Sequence, residues 1–580
     1  MTQPDSRLQP LKHERVPVPE IYVEGKPALV LDKRTKRRTK EEARDGNLSA
    51  VQFMQDLAKT IYGPRRLIKV ISTQDGNYPM TFITSDLQSV LKRIQLKHPA
   101  AQLIAGAAIA TYREKGDGCV STLLLAASIL TGCRRLLARK THVNTVIDGL
   151  SLAYKRTMKK APRLALAGRN EPIVEVRQAI KNSLEGKLSP QDHDVICKLL
   201  FRAVEIVGLS NLDGPDADAI VDVKKVTGAS LAESQIVEGV VLTQEIPHDR
   251  MPRRVEHARI ALIQGELRIP NKKISRYQDY SFEFDSPEKL SGFDKSKETF
   301  LEGRAANIIE TGANVILVSE GVDDLLLEYF ADRGILVIRR FPPVEFERVN
   351  RILGGRRITN PLIITREDLG SAELVEERKL GKDKLIFISG CSTPKSVDIL
   401  LRGNVNWVLD DIERVMKGAI KSATAVAKNP RMVWGGGAFE QEIARDLYDY
   451  AESIADRRQL VVRLVAEAFE SLPAMLAETV GMTAVDVTTE LRHRHAKGDK
   501  SAGVDVMNNR IARMSTRGIR DSLDIKLQVI TTAFETAITL LRIDDLIIAP
   551  DLPAAERHYL ERIRGTSRKA LKAKGAPLTE

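Results

Sequence analysis

Asn314-Val-Ile-Leu-Val318, then Val322–Arg333, then Ile335-Leu-Val-Ile-Arg339 is the stretch that decides the architecture. Two short aliphatic runs, each the length of a buried strand, flank a segment with apolar residues at helical spacing. The alternation predicts a β-α-β unit, and so an α/β domain. Upstream, Ile220–Val226, Gln235–Leu242 and Arg259-Ile-Ala-Leu-Ile263 read as further strands. Asn271–Gly303 is polar and poor in aliphatic residues, so it buries little and is expected to project outward.

Both flanks of this middle part read as helical. From Asn47 to about Ala161 the pattern is mostly helical, with Leu103, Ala107 and Ala110 at i, i+4, i+7 as an apolar stripe. A helix of small residues is expected at Ser121–Leu130, and the periodicity continues to about Val207. After Val405, helices are expected at Val408–Ala427, Phe439–Ala455, Leu460–Leu476 and Ile525–Leu541, followed by the apolar run Leu546-Ile-Ile-Ala549. Pro473 should kink the third of these. The order helical, α/β, helical predicts a middle domain inserted into an all-α domain built from both chain ends. A chain of 580 residues needs several cores, at about 150 residues per domain.

Composition narrows the function. No unbroken apolar run reaches the roughly 18 residues needed to cross a bilayer. Met1 to Pro10 lacks the apolar core of a signal peptide, so a cytoplasmic protein with no membrane partner is expected. Cys119, Cys133, Cys197 and Cys391 are far apart and form no CxxC pair, which argues against a disulfide framework or zinc cluster. His493 and His495 stand at i, i+2 and would point apart on a helix, which disfavours a metal pair. The net charge of +12 raises nucleic acid as a partner, through the basic tails alone: Lys33–Arg38 and Arg568–Lys574. Residues 1–20, with Pro at 4, 10, 17 and 19, read as a loose arm, and solvated tails are the simpler reading. Aromatic residues make up only 5%, leaving few platforms on which bases could stack.

A series of motifs then appears in order. Tyr62-Gly63-Pro64 and Ile83-Thr84-Ser85-Asp86 are followed by His98-Pro99-Ala100-Ala101 and Gly116-Asp117-Gly118. Met251-Pro-Arg-Arg-Val255, Gly312-Ala-Asn-Val315, Gly334–Arg340, Glu367-Asp-Leu-Gly370 and Ala372–Arg378 come next. Gly435-Gly-Gly-Ala438, Gly503-Val-Asp-Val506 and Leu541-Arg-Ile-Asp-Asp545 complete the series. Each motif alone is a weak signal. Together, across roughly residues 25 to 549, they resemble the group II chaperonins, which include the thermosome and its eukaryotic cytosolic relatives.

That resemblance implies a multidomain subunit. An all-α equatorial domain would be built from both ends (23–168 and 422–550). A small α/β intermediate domain would come from 169–236 and 391–421. An inserted α/β apical domain would span 237–390, with a helical protrusion at about 271–303. Residues 1–22 would be a flexible arm and 551–580 a basic tail. Identical or sister subunits would stack in eight- or nine-membered rings around unfolded client proteins, and the protrusion would act as a built-in lid. Phe282, Phe284, Phe293 and Phe300 on it would grip clients or neighbouring lids, or anchor the protrusion to its base.

The resemblance also implies a site for ATP or ADP with Mg²⁺. Gly63 and Pro64 form a tight turn that can present amides to phosphate. Asp117, between two glycines at a helix start, would hold the metal, with Gly118, Cys119, Val120 and Ser121 following. Gly436 and Gly437 would let the backbone approach the nucleotide, and Asp505 and Asp521 would meet base and ribose.

The departures from the family pattern are specific. Its threonine or serine run after Gly-Asp-Gly is Cys119, Val120 and Ser121 here, so only Ser121 keeps a hydroxyl. Leu87 stands where the family has a glycine free to adopt positive φ, and Arg66 replaces a second loop glycine. Of the two aspartates that position the attacking water, the first corresponds to Asp86, but the second falls on Gly418. Asp411, on the same helix face, lies seven residues away, roughly 10 Å along the axis, beyond the reach of a catalytic base. Gly418 weakens its helix by about 1 kcal/mol relative to Ala, so helix stability does not explain it. The expectation is a ring subunit that binds nucleotide weakly or not at all and hydrolyses it poorly. The alternatives are a fully ATP-driven folding machine, a ring scaffold or holdase, and a nucleic-acid-associated complex.

Overall fold

The computed structural model describes residues 21–23, 26–28, 36–75, 78–166, 171–212, 220–268, 301–391 and 396–548. Phe282, Phe284, Phe293 and Phe300, the loose arm to residue 20 and the basic tail lie outside them.

Seven helices lead: α1 Lys40–Lys59, α2 Leu87–Arg93, α3 Pro99–Lys115, α4 Cys119–Ala138, α5 Val143–Lys160, α6 Pro172–Leu184 and α7 Pro190–Val207. Their starts follow local chemistry. Asp86 caps α2 by accepting from the Ser89 amide, and α3 and α7 both begin with proline, whose missing N–H is no loss in a first turn. Between α1 and α2 a hairpin intervenes, β1 Lys69–Asp75 with β2 Tyr78–Thr84.

The middle of the chain builds a nine-stranded mixed sheet. Its strands are β3 Val221–Thr227, β4 Gln235–Leu242, β5 Arg254–Ile263, β6 Val315–Val318, β7 Leu336–Arg339, β8 Arg357–Ile358, β9 Gly370–Leu380, β10 Asp383–Ser389 and β11 Val397–Gly403. They run in the order β7-β6-β5-β9-β10-β4-β11-β3, with β8 beside β5. The stretch first quoted is the β-α-β unit expected: β6 and β7 are parallel, joined by α8 Asp324–Asp332. Strand β4 pairs with β11 through its first half and with β10 through its second. The switch falls at Gly239, where φ is +139° and a Cβ would lie 2.0 Å from the Ile388 carbonyl oxygen. Only glycine fits that bend.

Helix α9 Pro343–Leu353 packs on this sheet. Then follow α10 Asn406–Lys428, β12 Met432–Trp434, α11 Ala438–Glu452, α12 Arg458–Glu478 and α13 Ala484–Ala496. The hairpin β13 Ala502–Asp505 with β14 Arg510–Arg513, then β15 Arg520–Ser522 and α14 Leu523–Arg542, end the helical part. Lys36–Thr39 pairs antiparallel with Asp545–Ile548, so the apolar run near the end of the chain is a strand tied to its beginning.

Three large apolar cores follow. One joins Leu48–Ala161 to Val433–Leu541, both ends of the chain. A second lies wholly within Val240–Ile388. The third joins Val176–Val223 to Val397–Met432. The middle core is thus nested inside the other two.

Several expectations need correction. Leu103 is 44% exposed and Ala110 is exposed. The buried row of α3 is instead Ala101, Ile104, Ala105, Ala108 and Tyr112. The segment is apolar nearly all round, so periodicity could not choose a face. Pro473 does fall inside the expected helix, α12, and its side chain packs beside Gly437. Leu87 needs no positive φ, because it is the buried first residue of α2. Averaged over a window, α4 does reach the length and hydropathy of a membrane span, but most of that window is buried in the first core.

An ionic network ties α9 and α10 to the sheet. Arg348 of α9 donates to Asp398 of β11 and stands 3.5 Å from Asp222 of β3. Asp398 also accepts from the Val241 amide at 2.7 Å. One turn earlier, Glu345 pairs with Lys224 at 2.5 Å. Lys417 of α10 reaches Asp222 at 3.2 Å. Burial opposes ionisation of Asp222, but Arg348, Lys417 and Lys224 outweigh it and bring its carboxyl to about 2. Held there against about 3.9 in the unfolded chain, it contributes on the order of 2 kcal/mol at neutral pH. The folded value is the lower one. That stability is therefore complete above pH 4 and is lost as pH falls toward 2. Urea unfolding of Asp222→Asn should accordingly fall short of the parent by about 2 kcal/mol at pH 7, with a gap that narrows below pH 4. A gap constant with pH would contradict this.

Candidate functional site

Where the first and third cores meet lies a cavity of about 470 Å³, the size of a small-molecule site. It collects the residues singled out in the sequence: Gly63, Pro64, Asp86, Asp117, Gly118, Cys119, Val120, Ser121, Gly436, Gly437, Asp505 and Asp521 all line it. They arrive from the turn after α1 and the starts of α2, α4 and α11, with β13 and β15 completing the wall.

One end suits phosphate. Gly118 and Gly437 precede α4 and α11 in left-handed backbone, with φ of +87° and +81°, and neither helix has a side-chain cap. Two helix N-termini without side-chain caps therefore stand at the cavity, although the first amide of α11, that of Ala438, already donates to the Gly435 carbonyl at 3.1 Å. Gly63, at φ +80°, turns the loop between them. Gly186, after α6, presses on this loop so closely that a Cβ would lie 2.2 Å from the Pro64 oxygen. That contact delivers Lys187, whose ammonium stands 3.7 Å from Asp117 and whose side chain is 2% exposed. Burial lowers the Lys187 pKa, while Asp117 opposes that. Ser121 and Tyr62 both line the cavity. Cys119 is a neutral thiol, pushed far up by burial and by Asp86.

The hydrolytic corner is closed. Asp86 is buried, caps α2, and receives the guanidinium of Arg414. Burial alone would raise its pKa, but Arg414, Lys187 and Arg66 hold it below the ordinary carboxylate value. Arg414 also grips Asp411, which accepts from the hydroxyls of Thr84 at 3.2 Å and Ser89 at 3.3 Å. Asp411 is thus fixed behind Asp86 and does not line the cavity.

At Gly418, a Cβ would lie 2.2 Å from the Tyr112 hydroxyl and 2.9 Å from the Gly116 carbonyl oxygen. Tyr112 does line the cavity and donates to the Arg414 carbonyl at 3.2 Å. Its phenol is pushed far up by burial and Asp86, so it stays protonated and cannot serve as a base. Gly418 is therefore explained by packing: α3 and α10 touch there, and the tyrosine occupies the space a longer side chain would need.

The other end is more polar. Asp505 accepts from Asn508 at 2.9 Å and pairs with Arg517 at 2.9 Å. Asp521 pairs with Lys526 at 2.9 Å and accepts from Asn182 at 3.3 Å. Burial opposes the charge on Lys526, but Asp521 and Glu440 raise its pKa well above normal, so it is a fixed cation. Gly436 gives β13 room, since a Cβ would lie 2.9 Å from the Val504 oxygen.

Sequence reading missed Tyr112, Lys187, Arg414 and Lys526. Their partners lie far along the chain, Tyr112 and Arg414 being 302 residues apart. The one available signal was a lone tyrosine in an alanine-rich helix, a turn before a glycine.

The donors present suit a nucleotide's phosphates better than Mg²⁺, which the sequence reading places at Asp117. Among the described residues there is no group of three or more His, Cys, Asp or Glu suited to a metal. At the phosphate end, Asp117 already faces an ammonium, Asp86 is held by Arg414, and positions 119 and 120 offer a thiol and an isopropyl group. Mg²⁺ held with a nucleotide takes most of its oxygens from water and phosphate and needs one or two carboxylates from the protein, so the test falls on Asp117, which here already faces the Lys187 ammonium.

A family model described as the TCP-1/cpn60 chaperonin family matches residues 54–551. Thermosome subunit alpha of Sulfurisphaera tokodaii is 35% identical over 557 residues, covering 94% of this chain and 98% of its own length. Thermosome subunit alpha of Archaeoglobus fulgidus is 33% identical over 531 residues, covering 91% and 96%. The thermosome subunit of Pyrococcus horikoshii is 32% identical over 531 residues, covering 91% and 95%.

Proposed function

The chain belongs to the TCP-1/cpn60 chaperonin family and is a ring subunit that assists protein folding, and from that premise we propose that its cavity holds nucleotide but hydrolyses it poorly. The observation that carries this reading is the Tyr112 phenol standing where a side chain at position 418 would have to enter. A water attacking phosphate needs a base within hydrogen-bond reach. Asp86 is committed to Arg414, Asp411 lies behind it, and position 418 offers no carboxylate.

In this reading the first core is the equatorial domain, the third the intermediate domain and the second the apical domain. The boundaries fall at about 23–168, 169–236, 237–390, 391–421 and 422–550. Helix α10 runs without a break across the last of these, so any rotation of the intermediate domain would carry Arg414 and Gly418 with it. The segment 271–303, which the sequence reading assigns to the lid, lies outside the described residues up to position 300. ATP or ADP phosphates would rest on the amides that open α4 and α11, with the base toward Asp505 and the ribose toward Asp521. The subunit would work in the cytoplasm, in stacked rings of eight or nine identical or sister chains, retaining unfolded clients while its partners drive the cycle.

Electron microscopy of the purified chain, alone and mixed with a thermosome subunit, tests the ring. Stacked toroids that retain an unfolded client are expected. Phosphate release should fall at least about a hundred-fold below that of a thermosome assayed alongside. Equal turnover, or isolated particles under every condition, would overturn the reading.

A further inference from the structure

We propose that the phosphate end of this cavity binds nucleotide without a divalent cation, because the chain's own side chains supply the positive charge. The inference rests on the nucleotide reading above and goes beyond it by replacing the metal.

Three observations carry it. The Lys187 ammonium is almost fully buried, yet at 3.7 Å from Asp117 it is beyond hydrogen-bond distance. Its N–H groups remain available to an oxygen entering the cavity it lines. Second, Arg66 stands on the phosphate-facing loop, lines the cavity, and is anchored there by its Nε, which donates to the Gly63 carbonyl at 3.0 Å. Its two terminal nitrogens have no carboxylate partner among the described residues. A guanidinium fork so placed matches the geometry of a phosphate oxyanion. Third, the groups that would hold a metal are withdrawn. Val120 and Cys119 bring no hydroxyl, and Asp117 is already faced by a cation.

A magnesium ion brought to Asp117 would meet the Lys187 ammonium at close range in a buried corner, where like charges repel strongly. Phosphate oxygens would meet Lys187, Arg66 and the amides opening α4 together. The ligand class is therefore a free nucleoside di- or triphosphate, with the metal dispensable.

The test is calorimetric titration of the full chain with ATP, and separately with ADP, in excess EDTA and in excess Mg²⁺. Affinity should change by less than about three-fold between the two conditions. Arg66→Gly, on a partly exposed loop, should lose at least about five-fold in EDTA and recover with Mg²⁺; Lys187→Met should lose at least about ten-fold in EDTA, and Mg²⁺ should restore part of it by occupying the freed Asp117. Collapse of binding by the unaltered chain in EDTA, with tight binding in Mg²⁺, overturns this inference and leaves the nucleotide reading standing. Variants as tight as the parent in EDTA also overturn it. Absence of binding by either nucleotide in both conditions removes the nucleotide reading itself, and this inference with it.

Discussion

Gly418→Asp, made alone, should lose about 1–3 kcal/mol of stability and leave ATP turnover at the level of the parent. The new Cβ would sit 2.2 Å from the Tyr112 hydroxyl, so either the phenol or α10 must move. Tyr112 is 6% exposed and packed among the residues of the first core, which leaves it little room. With Tyr112→Ala the closest clash is relieved, leaving the Gly116 carbonyl oxygen at 2.9 Å as the remaining tight contact. The two substitutions should therefore be non-additive, with a coupling of at least about 1 kcal/mol in a double-variant cycle. Phosphate release should rise only in the double variant, by about ten-fold. The gain stays modest because Cys119 and Val120 still lack hydroxyls and Arg414 still holds Asp86. Turnover restored by Gly418→Asp alone would show that Tyr112 is no barrier.

Arg348→Met should be the most damaging substitution away from the cavity. It leaves Asp398, which is 0% exposed, with the Val241 amide as its remaining close donor. Removing one partner of a buried pair costs about 3–5 kcal/mol, because the other charge stays buried and uncompensated. It also frees Asp222 from one of its three cations and loosens α9 from β3 and β11. Pairing it with Asp398→Leu should recover most of the loss, since an apolar pair of similar volume is often neutral. Hydrogen exchange of Arg348→Met should rise first in β3, β11 and α9, while α3 and α4, which belong to a different core, stay protected. A loss below about 1 kcal/mol would mean that Asp398 is neutral, or is reached by water, in the folded chain.

What was legible in the sequence follows from the range of the forces involved. Ile316, Leu317 and Val337 sit in unbroken aliphatic runs, and strands buried on both faces need such runs, so the β-α-β unit could be read locally. The hairpin β1–β2 could not. Its strands mix Lys69, Ser72 and Gln74 with aliphatics, and Leu67, Ile68 and Val70 at its base are exposed. The pair His493 and His495 was rightly separated by spacing, but spacing did not show that His495 is fully buried. Its Nδ1 lies 2.7 Å from Glu442 and its Nε2 2.8 Å from the Ala502 carbonyl oxygen. Both partners come from elements that only the tertiary fold brings near.

The site divides the same way. Gly63, Gly118, Gly436 and Gly437, all at positive φ, were found as a set through the ordered motif series in which they stand. The residues that alter the chemistry leave no such signal. Lys187 looks like any lysine in a charged turn, and Arg414 like any arginine on an exposed helix face. Only the packing of Gly186 on Pro64 puts Lys187 in the cavity, and only the tertiary fold brings Arg414 onto Asp86 at its wall. Absence of an aspartate at 418 was visible in the sequence; its cause required the neighbouring helix.

The most direct measurement is the fate of nucleotide held by the assembled chain. The protein is incubated with ATP labelled on its terminal phosphate, freed of unbound nucleotide, quenched in acid and separated. Retained nucleotide should be recovered as intact ATP, with label still attached after prolonged incubation. Recovery as ADP, with one labelled phosphate released per site, would contradict the claim that Tyr112, Gly418 and the Arg414–Asp86 pair close the hydrolytic corner.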